Sequence, residues 1–166
     1  MALPTPTGAH MVMPDGRHRA TLAEIEQLFV TNAPFPNQRQ IVFDAFTVWV
    51  RLIGDLFPGC RLWIDGGFVT HKPWAAPQDI DVVLFVKQDD LNALDANQQV
   101  QFASLLTSGP AGGTRVQPMS GLVDGFFAVR GDPDKPPYWN GHWSAVKGPD
   151  GKIVPGQTKG YVEMVV

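Results

Sequence analysis

The sequence predicts a mixed α and β fold, in which a mixed β-sheet is flanked by helices. Helical patterns lie between residues 21 and 57, and short runs of β-branched residues follow from residue 61 onward. The 166 residues suffice for one buried core, and no repeat or second periodic block indicates another domain. We expect a flexible N-terminal arm over residues 1–17, part of which resembles an expression tag, and one folded domain over residues 18–166.

Two helices are predicted before residue 58. The first begins at a capping box, in which Thr21 caps the helix and Glu24 reaches back to the cap, and it extends to about Thr31. The second begins after Pro36 and carries apolar residues at helical spacing until Pro58-Gly59 ends it. Both apolar stripes indicate helices that pack on a common core.

Strands are predicted on both sides of a glycine turn. Residues 61–65 form the first strand, Gly66-Gly67 form the turn, and residues 80–86 form a buried strand rich in β-branched residues. The remaining expected elements are a helix, two strands, a short helix and a last strand, at residues 89–107, 115–118, 122–129, 138–146 and 161–166.

Composition and charge exclude some classes of protein. The formal charge of −3 and the pI of about 5.7 leave no basic patch that would hold a long nucleic acid. A mean hydropathy of −0.06, without any apolar run near ~18 residues, argues against a membrane span. The single cysteine, Cys60, cannot form an internal disulfide, and no basic and apolar leader begins the chain. We therefore expect a cytoplasmic protein with no membrane partner.

Two carboxylates stand at the start of the buried strand. Because side chains alternate faces along a strand, Asp79 and Asp81 project to the same side while Ile80 points into the core. Two such charges repel each other unless they share a proton or a cation, and oxygen ligands of this kind suit Mg²⁺ or Mn²⁺. The alternative is a solvated polar strand face, because Asp-x-Asp motifs are common by chance.

The stretch from Leu62 to Asp81 resembles the nucleotidyltransferase superfamily that includes DNA polymerase β. The shared pattern is Gly-Gly, about a dozen residues, and then Asp-apolar-Asp-apolar. More closely, Leu62–Thr70 with Lys72-Pro73 and Pro77–Asp81 resembles a family of small nucleotidyltransferase-like proteins of bacteria and phages. The proline-rich arm and the closing Lys159–Val162 segment extend this resemblance to about residues 12–166. It implies a minimal polymerase β-like fold.

The resemblance implies magnesium-dependent transfer of a nucleotidyl group from a nucleoside triphosphate to a hydroxyl group. Asp79 and Asp81 would be catalytic, metal-binding residues, and Asp124 on a neighbouring strand would complete the metal site. Asp65 departs from the superfamily pattern, which usually has an apolar residue before the turn. Asp65 is therefore either a further ligand or a cap of the turn.

The same resemblance assigns nucleotide contacts to the glycine turn and the loop after it. Gly66 and Gly67 would let the backbone approach the triphosphate closely. Thr70 and Lys72 would contact phosphate groups. The nucleoside triphosphate is thus the expected substrate and small-molecule partner.

The acceptor and the activity stay open at this point. The acidic chain favours a protein side chain or a small molecule as acceptor, and an RNA end is the further option. The bacterial and phage setting of the resembled family implies a toxin, antitoxin or host-interference role. The alternative function is a catalytically inactive nucleotidyltransferase-like protein that binds a protein partner, acting as an interaction or inhibitor module.

Several other residues are expected to have structural or solvated roles. His71 is expected to be a solvated loop residue rather than a zinc ligand. Trp139 and Trp143, at helical spacing, are expected to pack on the sheet rather than on a base, and Cys60 is expected to pack. Lys159 is expected to be solvated.

Overall fold

A computed structural model describes residues 3–109 and 113–166. Within those ranges the chain forms seven strands and five α-helices. The strands are β1 Arg17–Arg19, β2 Arg61–Asp65, β3 Ile80–Val86, β4 Val123–Val129, β5 Ala145–Lys147, β6 Ile153–Thr158 and β7 Tyr161–Val165. The helices are α1 Leu22–Glu26, α2 Pro36–Leu56, α3 Gln88–Asn92, α4 Ala96–Ser104 and α5 Lys135–Trp143.

A five-stranded mixed sheet lies at the centre, in the order β1-β7-β2-β3-β4. Strand β2 runs antiparallel to both β3 and β7, whereas β3 runs parallel to β4 and β1 runs parallel to β7. Strands β5 and β6 form a separate two-stranded sheet. The predicted mixed sheet flanked by helices is therefore confirmed.

The two faces of the central sheet are covered differently. Helix α2 packs on one face, where Trp49 and Ile53 join buried strand residues such as Ile64 and Val82 in the main core. The other face carries a smaller aromatic cluster, which includes Trp63 and is covered by α5. The carboxylates described below project from the face with the smaller cluster, since Asp65 and Trp63 lie two residues apart on β2.

The helices at the start of the chain match their local sequence signals. Thr21 and Glu24 form the predicted capping box, and α1 continues into a π-helical turn at Gln27–Thr31. Helix α2 begins at Pro36, as expected for a residue without a free backbone N–H, and ends shortly before Pro58.

Two predicted elements after β3 differ from the structure. The single helix expected over residues 89–107 is two helices, because Asp95 forms a second capping box with Gln98 and starts α4 anew. The strand expected at residues 115–118 is wrong: Val116 makes one isolated bridge, to Ser108. The β5–β6 hairpin was not expected from the sequence, since Gly and Pro interrupt its alternation.

The N-terminal segment contacts the folded domain, and its Leu3 packs against the main core. Val12 bridges to Thr70, and the backbone N–H of His71 donates to the carbonyl of Met11 over 2.9 Å. Met13 is buried in the main core. Strand β1 then begins at Arg17, the last residue of the predicted arm.

No helix in the described ranges has both the length and the apolar character needed to cross a membrane.

Candidate functional site

Three aspartates form a row across neighbouring strands. The register pairs Asp65 of β2 with Asp81 of β3, and Asp81 with Asp124 of β4. Because paired residues on adjacent strands project to the same face, their carboxylates share one end of the sheet. Asp79, two residues before Asp81, lies on the same side. The structure thus brings together the three predicted carboxylates, Asp79, Asp81 and Asp124, and adds Asp65.

Asp81 lies at the centre of this row, and its acidity reflects that position. Burial is the main cause that raises the pKa of Asp81, and repulsion from Asp79, Asp65 and Asp124 raises it further, to about 7. The ammonium group of Lys159 acts in the opposite direction. The fold therefore keeps the Asp81 carboxyl protonated at pH values where a free aspartate is ionised.

Asp65 is paired with a buried lysine. The Lys159 ammonium donates to the Asp65 carboxylate, and the two side chains are only 8% and 5% exposed. Burial raises the pKa of Asp65, and the attraction of Lys159 partly offsets this. The sequence-based expectation of a solvated Lys159 is wrong. Its role depends on β7 lying beside β2, a non-local pairing that no local sequence signal shows.

Asp124 is held by two donors that precede β4 in the sequence. Its carboxylate accepts hydrogen bonds from Nη2 of Arg115, at 2.6 Å and 2.5 Å for its two oxygens. The hydroxyl of Thr107 donates to the same carboxylate over 2.6 Å. Asp124 itself is buried. The side chain of Arg115 is 56% exposed, so it reaches the site from solvent. Arg115 and Thr107 were not predicted as site residues from the sequence.

Asp79 has a donor from the same connection. The Gln117 amide donates to Oδ2 of Asp79 over 2.8 Å. Arg115 and Gln117 therefore supply a partner to Asp124 and to Asp79, respectively. Asp81 has no hydrogen-bonding side-chain partner among the described residues.

The backbone geometry of the turn requires glycine at position 66. Gly66 has a φ of +78°, and a Cβ built on it would overlap the carboxylate of Asp81. Gly67 differs, since its φ is not positive and its nearest neighbour would be Pro77 Cβ at 3.9 Å. Gly66 therefore lets the turn approach Asp81, whereas Gly67 has room for a side chain.

The structure places the two predicted loop contacts in different surroundings. Thr70 is buried, and its hydroxyl donates to the carbonyl of Gly67 over 2.7 Å. Its side chain therefore braces the turn. Lys72 lines the cavity next to Asp65 and Asp81. Burial, followed by repulsion from Lys159 and Lys147, lowers the pKa of Lys72.

A buried arginine anchors the same loop from the opposite face. Arg39 of α2 is fully buried and donates to the carbonyls of Phe68 and Thr70, each over 2.6 Å. It also donates to the carbonyls of Phe29 and Pro34. Burial lowers the pKa of Arg39 to about 10, which leaves it charged at neutral pH. An arginine within an apolar helical stripe is the sequence signal that could have revealed this anchor.

Two carboxylates of the row, those of Asp65 and Asp81, line a cavity of about 140 Å³. Carboxylates and amines both line this cavity, together with parts of α5 and β5. Its lining residues are Asp65, Gly66, Gly67, Lys72, Asp81, His142, Trp143, Ala145, Lys147 and Lys159. The three lysines give the cavity a side that can face an anion, while Asp81 presents a carboxylate to it.

Other residues weighed from the sequence have structural roles. His71 is buried and its Nε2 lies 2.8 Å from the carbonyl of Leu28, so the expectation of a solvated loop residue is wrong. Trp143 is buried in the aromatic cluster and Trp139 packs against it, as predicted. Cys60 is buried, and burial raises its pKa to about 11, which makes it a poor nucleophile.

The carboxylates of the site suit magnesium by their chemistry, but basic side chains of the same chain already bind two of them. Carboxylate oxygens on one face are the ligands that Mg²⁺ and Mn²⁺ prefer. In residues 3–109 and 113–166, however, no group of three or more His, Cys, Asp or Glu residues is arranged to hold a metal ion. Lys159 and Arg115 instead bind the outer members of the row, Asp65 and Asp124. A metal on Asp124 would therefore compete with Arg115 for the carboxylate oxygens.

The chain belongs to the family of unknown function DUF6932, which matches residues 6–165. No curated protein and no solved structure matches the chain. The family description names no activity, so the resemblance to nucleotidyltransferases depends on the residues themselves.

Proposed function

We propose that this DUF6932 member is a minimal polymerase β-like nucleotidyltransferase, which transfers a nucleotidyl group from a nucleoside triphosphate to a hydroxyl acceptor. The observation that supports this most strongly is the register that aligns Asp81 with Asp124 on neighbouring parallel strands. Such alignment places two acidic side chains on one face beside a glycine turn. In addition, the Asp81 carboxylate occupies the space that a Cβ at position 66 would fill. A strand with a merely solvated polar face does not need a glycine at that position.

The proposal gives each residue of the site a physical task. Asp79, Asp81 and Asp124 would hold Mg²⁺ or Mn²⁺, which when bound neutralises phosphate charge in an in-line displacement. The Gly66 turn would present backbone N–H groups to the triphosphate, and Lys72 would contact its oxygens.

The acidic chain favours a protein side chain or a small molecule over a long nucleic acid as acceptor. A cytoplasmic reaction, in a toxin, antitoxin or host-interference setting of bacteria or phages, agrees with the single buried cysteine and the family resemblance.

A thermal-shift screen tests the nucleotide site. Each nucleoside triphosphate is added with and without Mg²⁺ or Mn²⁺ to the wild type, to Asp79→Asn/Asp81→Asn and to the exposed control Asp55→Asn. A nucleotide concentration ~100-fold above Kd stabilises the folded protein by about 2.7 kcal/mol, which raises Tm by about 5–10 °C for a chain of this size. We expect this metal-dependent shift in the wild type and the control, and its loss in the double variant. Absence of any shift in the wild type contradicts the proposal.

A second function is favoured by one specific observation. Lys159, Arg115 and Gln117 already bind Asp65, Asp124 and Asp79, so three of the four carboxylates have a partner without a metal. This arrangement suits an inactive nucleotidyltransferase-like protein that binds a protein partner.

Arg115→Gln separates the two functions. If the site is catalytic, Arg115 competes with the metal for Asp124, and its removal tightens Mn²⁺ binding several-fold in a calorimetric titration. If the site is inactive, neither the wild type nor the variant binds Mn²⁺. The exposed control Arg130→Gln should behave as the wild type in both cases.

A further inference from the structure

A second groove, of about 1140 Å³, lies at the opposite edge of the sheet from β4. Strand β1 lines this groove along its whole length, together with residues 163–165 of β7, Val166 and Leu3 of the N-terminal segment. We propose that this groove binds an extended peptide, which adds to the outer edge of β1 as a sixth strand and alternates acidic with apolar side chains. The proposal is independent of the carboxylate row.

The hydrogen bonds of β1 show which of its backbone groups face outward. The N–H of Tyr161 donates to the carbonyl of Gly16, and the N–H of Ala20 donates to the carbonyl of Glu163. In a parallel ladder with this register, His18 directs its N–H and C=O toward β7, while Arg17 and Arg19 direct theirs away from it.

The outward backbone groups are available to a partner. Strand β1 is the terminal strand of the sheet, and within residues 3–109 and 113–166 the outward N–H and C=O groups of Arg17 and Arg19 have no backbone partner. A row of such groups beside a groove is the geometry in which a peptide adds as a strand.

One face of this edge is basic. The side chains of Arg17, Arg19 and Arg61 all converge on Glu163, at 3.4, 3.2 and 3.5 Å. Glu163 is only 2% exposed and also accepts a hydrogen bond from Trp63 Nε1. One carboxylate thus faces three guanidinium groups, of which the Arg19 side chain is 81% exposed.

The charged side chains along the whole groove are also positive on balance. Three arginine and two glutamate side chains line it, and together they carry one net positive charge. The second glutamate, Glu24, is already committed to the capping box, where it accepts hydrogen bonds from the backbone N–H and the hydroxyl of Thr21. The arginines therefore keep donors for an acidic partner.

The other face of the edge is apolar. Ala20, Leu22 and Val166 line the groove and pack against the main core, beside Val50 and Met164. A strand added to β1 would direct alternate side chains to these two faces. Its acidic side chains would contact the arginines, and its apolar side chains would contact Ala20, Leu22 and Val166. For this reason the proposed peptide alternates acidic with apolar residues.

The test uses a fluorescein-labelled peptide of seven alternating Glu and Val residues, with a Lys and Val peptide of the same length as its matched control. Fluorescence anisotropy should show at least ~10-fold tighter binding of the Glu peptide, and Arg19→Glu should remove this preference. The control Arg130→Glu, at the end of the opposite edge strand, should leave it unchanged. Failure of the Glu peptide to bind at 1 mM, or equal binding of the Lys peptide, overturns the proposal.

Backbone methylation separates strand addition from simple charge attraction. Two further Glu and Val peptides carry N-methyl groups on all Glu or on all Val residues, so that only one of them loses the N–H groups that face β1. Exactly one methylated peptide should lose binding, and amide exchange at Arg17 and Arg19 should slow in the complex with the unmodified peptide. Equal binding of both methylated peptides would show that the groove takes acidic amphiphiles without forming a strand, and would overturn the proposal.

Discussion

At the scale of single residues, Asp81 is the central residue of the site. Its pKa of about 7 in the fold lies above the value of ~3.9 expected in an unfolded chain. Between these values the folded state binds a proton that the unfolded state has released, so stability falls as pH rises from about 4 to about 7.

This sign gives a prediction for Asp81→Asn, which keeps the shape of the side chain but cannot titrate. We expect the variant to be more stable than the wild type by roughly 1–3 kcal/mol at pH 8, and the difference to shrink toward pH 4. Urea unfolding at both pH values measures it, with Asp55→Asn as the control. A variant less stable than the wild type at pH 8 would mean that the Asp81 carboxylate is favourably paired in the fold.

The two glycines of the turn provide a matched pair. Gly66→Ala introduces a Cβ at a φ of +78° and against Asp81, so we expect a loss of at least ~2 kcal/mol. Gly67→Ala should change stability by less than about 1 kcal/mol, because its Cβ has room. Denaturant unfolding of both variants checks the difference, and equal losses would contradict the described turn.

The buried pair of Lys159 and Asp65 predicts strong coupling. Because removal of one partner leaves the other charge buried, Lys159→Met and Asp65→Asn should each cost about 3–5 kcal/mol. The double variant should lose clearly less than the sum of the two. A double-mutant cycle of unfolding free energies measures the coupling, and additive losses would show that the pair does not interact.

At the scale of elements, helix α2 fixes the loop that follows the glycine turn. Arg39 donates to the carbonyls of Phe68 and Thr70 as well as to those of Phe29 and Pro34. Arg39→Met leaves these carbonyls without their donor, and we expect a loss of about 3–5 kcal/mol.

Hydrogen exchange locates the effect of that change. Amides of residues 67–72 should exchange faster in Arg39→Met than in the control Arg51→Met, which alters an exposed position of the same helix. Unchanged exchange in this loop would mean that the loop is held by other contacts.

The sequence predicts elements well where their signals are local. The Thr21 capping box, the proline at the start of α2 and the strand of Asp81 can each be recognised from a few neighbouring residues. The break between α3 and α4 was not predicted, because residues 89–107 have no proline and no glycine to mark it; in the structure Asp95 caps α4, while Asp89 and Asp90 lie in the first turn of α3.

At the scale of the whole molecule, the site was only partly predictable. Asp79 and Asp81 share a strand, so their common face follows from the period of two. Asp124 is a neighbour through the parallel pairing of β3 and β4. The partners Lys159, Arg115 and Gln117 lie far along the chain from the carboxylates that they bind, or on an irregular connection, and only the assembled sheet brings them there.

The same reasoning applies to the groove at the other edge. Its basic face combines β1, β2 and β7, which are separated by more than forty residues at each step. The composition shows an acidic chain and does not indicate that arginines such as Arg17 gather around Glu163.

The most direct test of the central claim is a calorimetric titration of a nucleoside triphosphate with Mg²⁺ into the wild type, Asp81→Asn and Asp55→Asn. The account predicts metal-dependent binding to the wild type and to Asp55→Asn, and at least ~100-fold weaker binding to Asp81→Asn, a difference of about 2.7 kcal/mol. Absence of binding to the wild type, or equal binding to Asp81→Asn, would contradict a nucleotide site built on the carboxylate row.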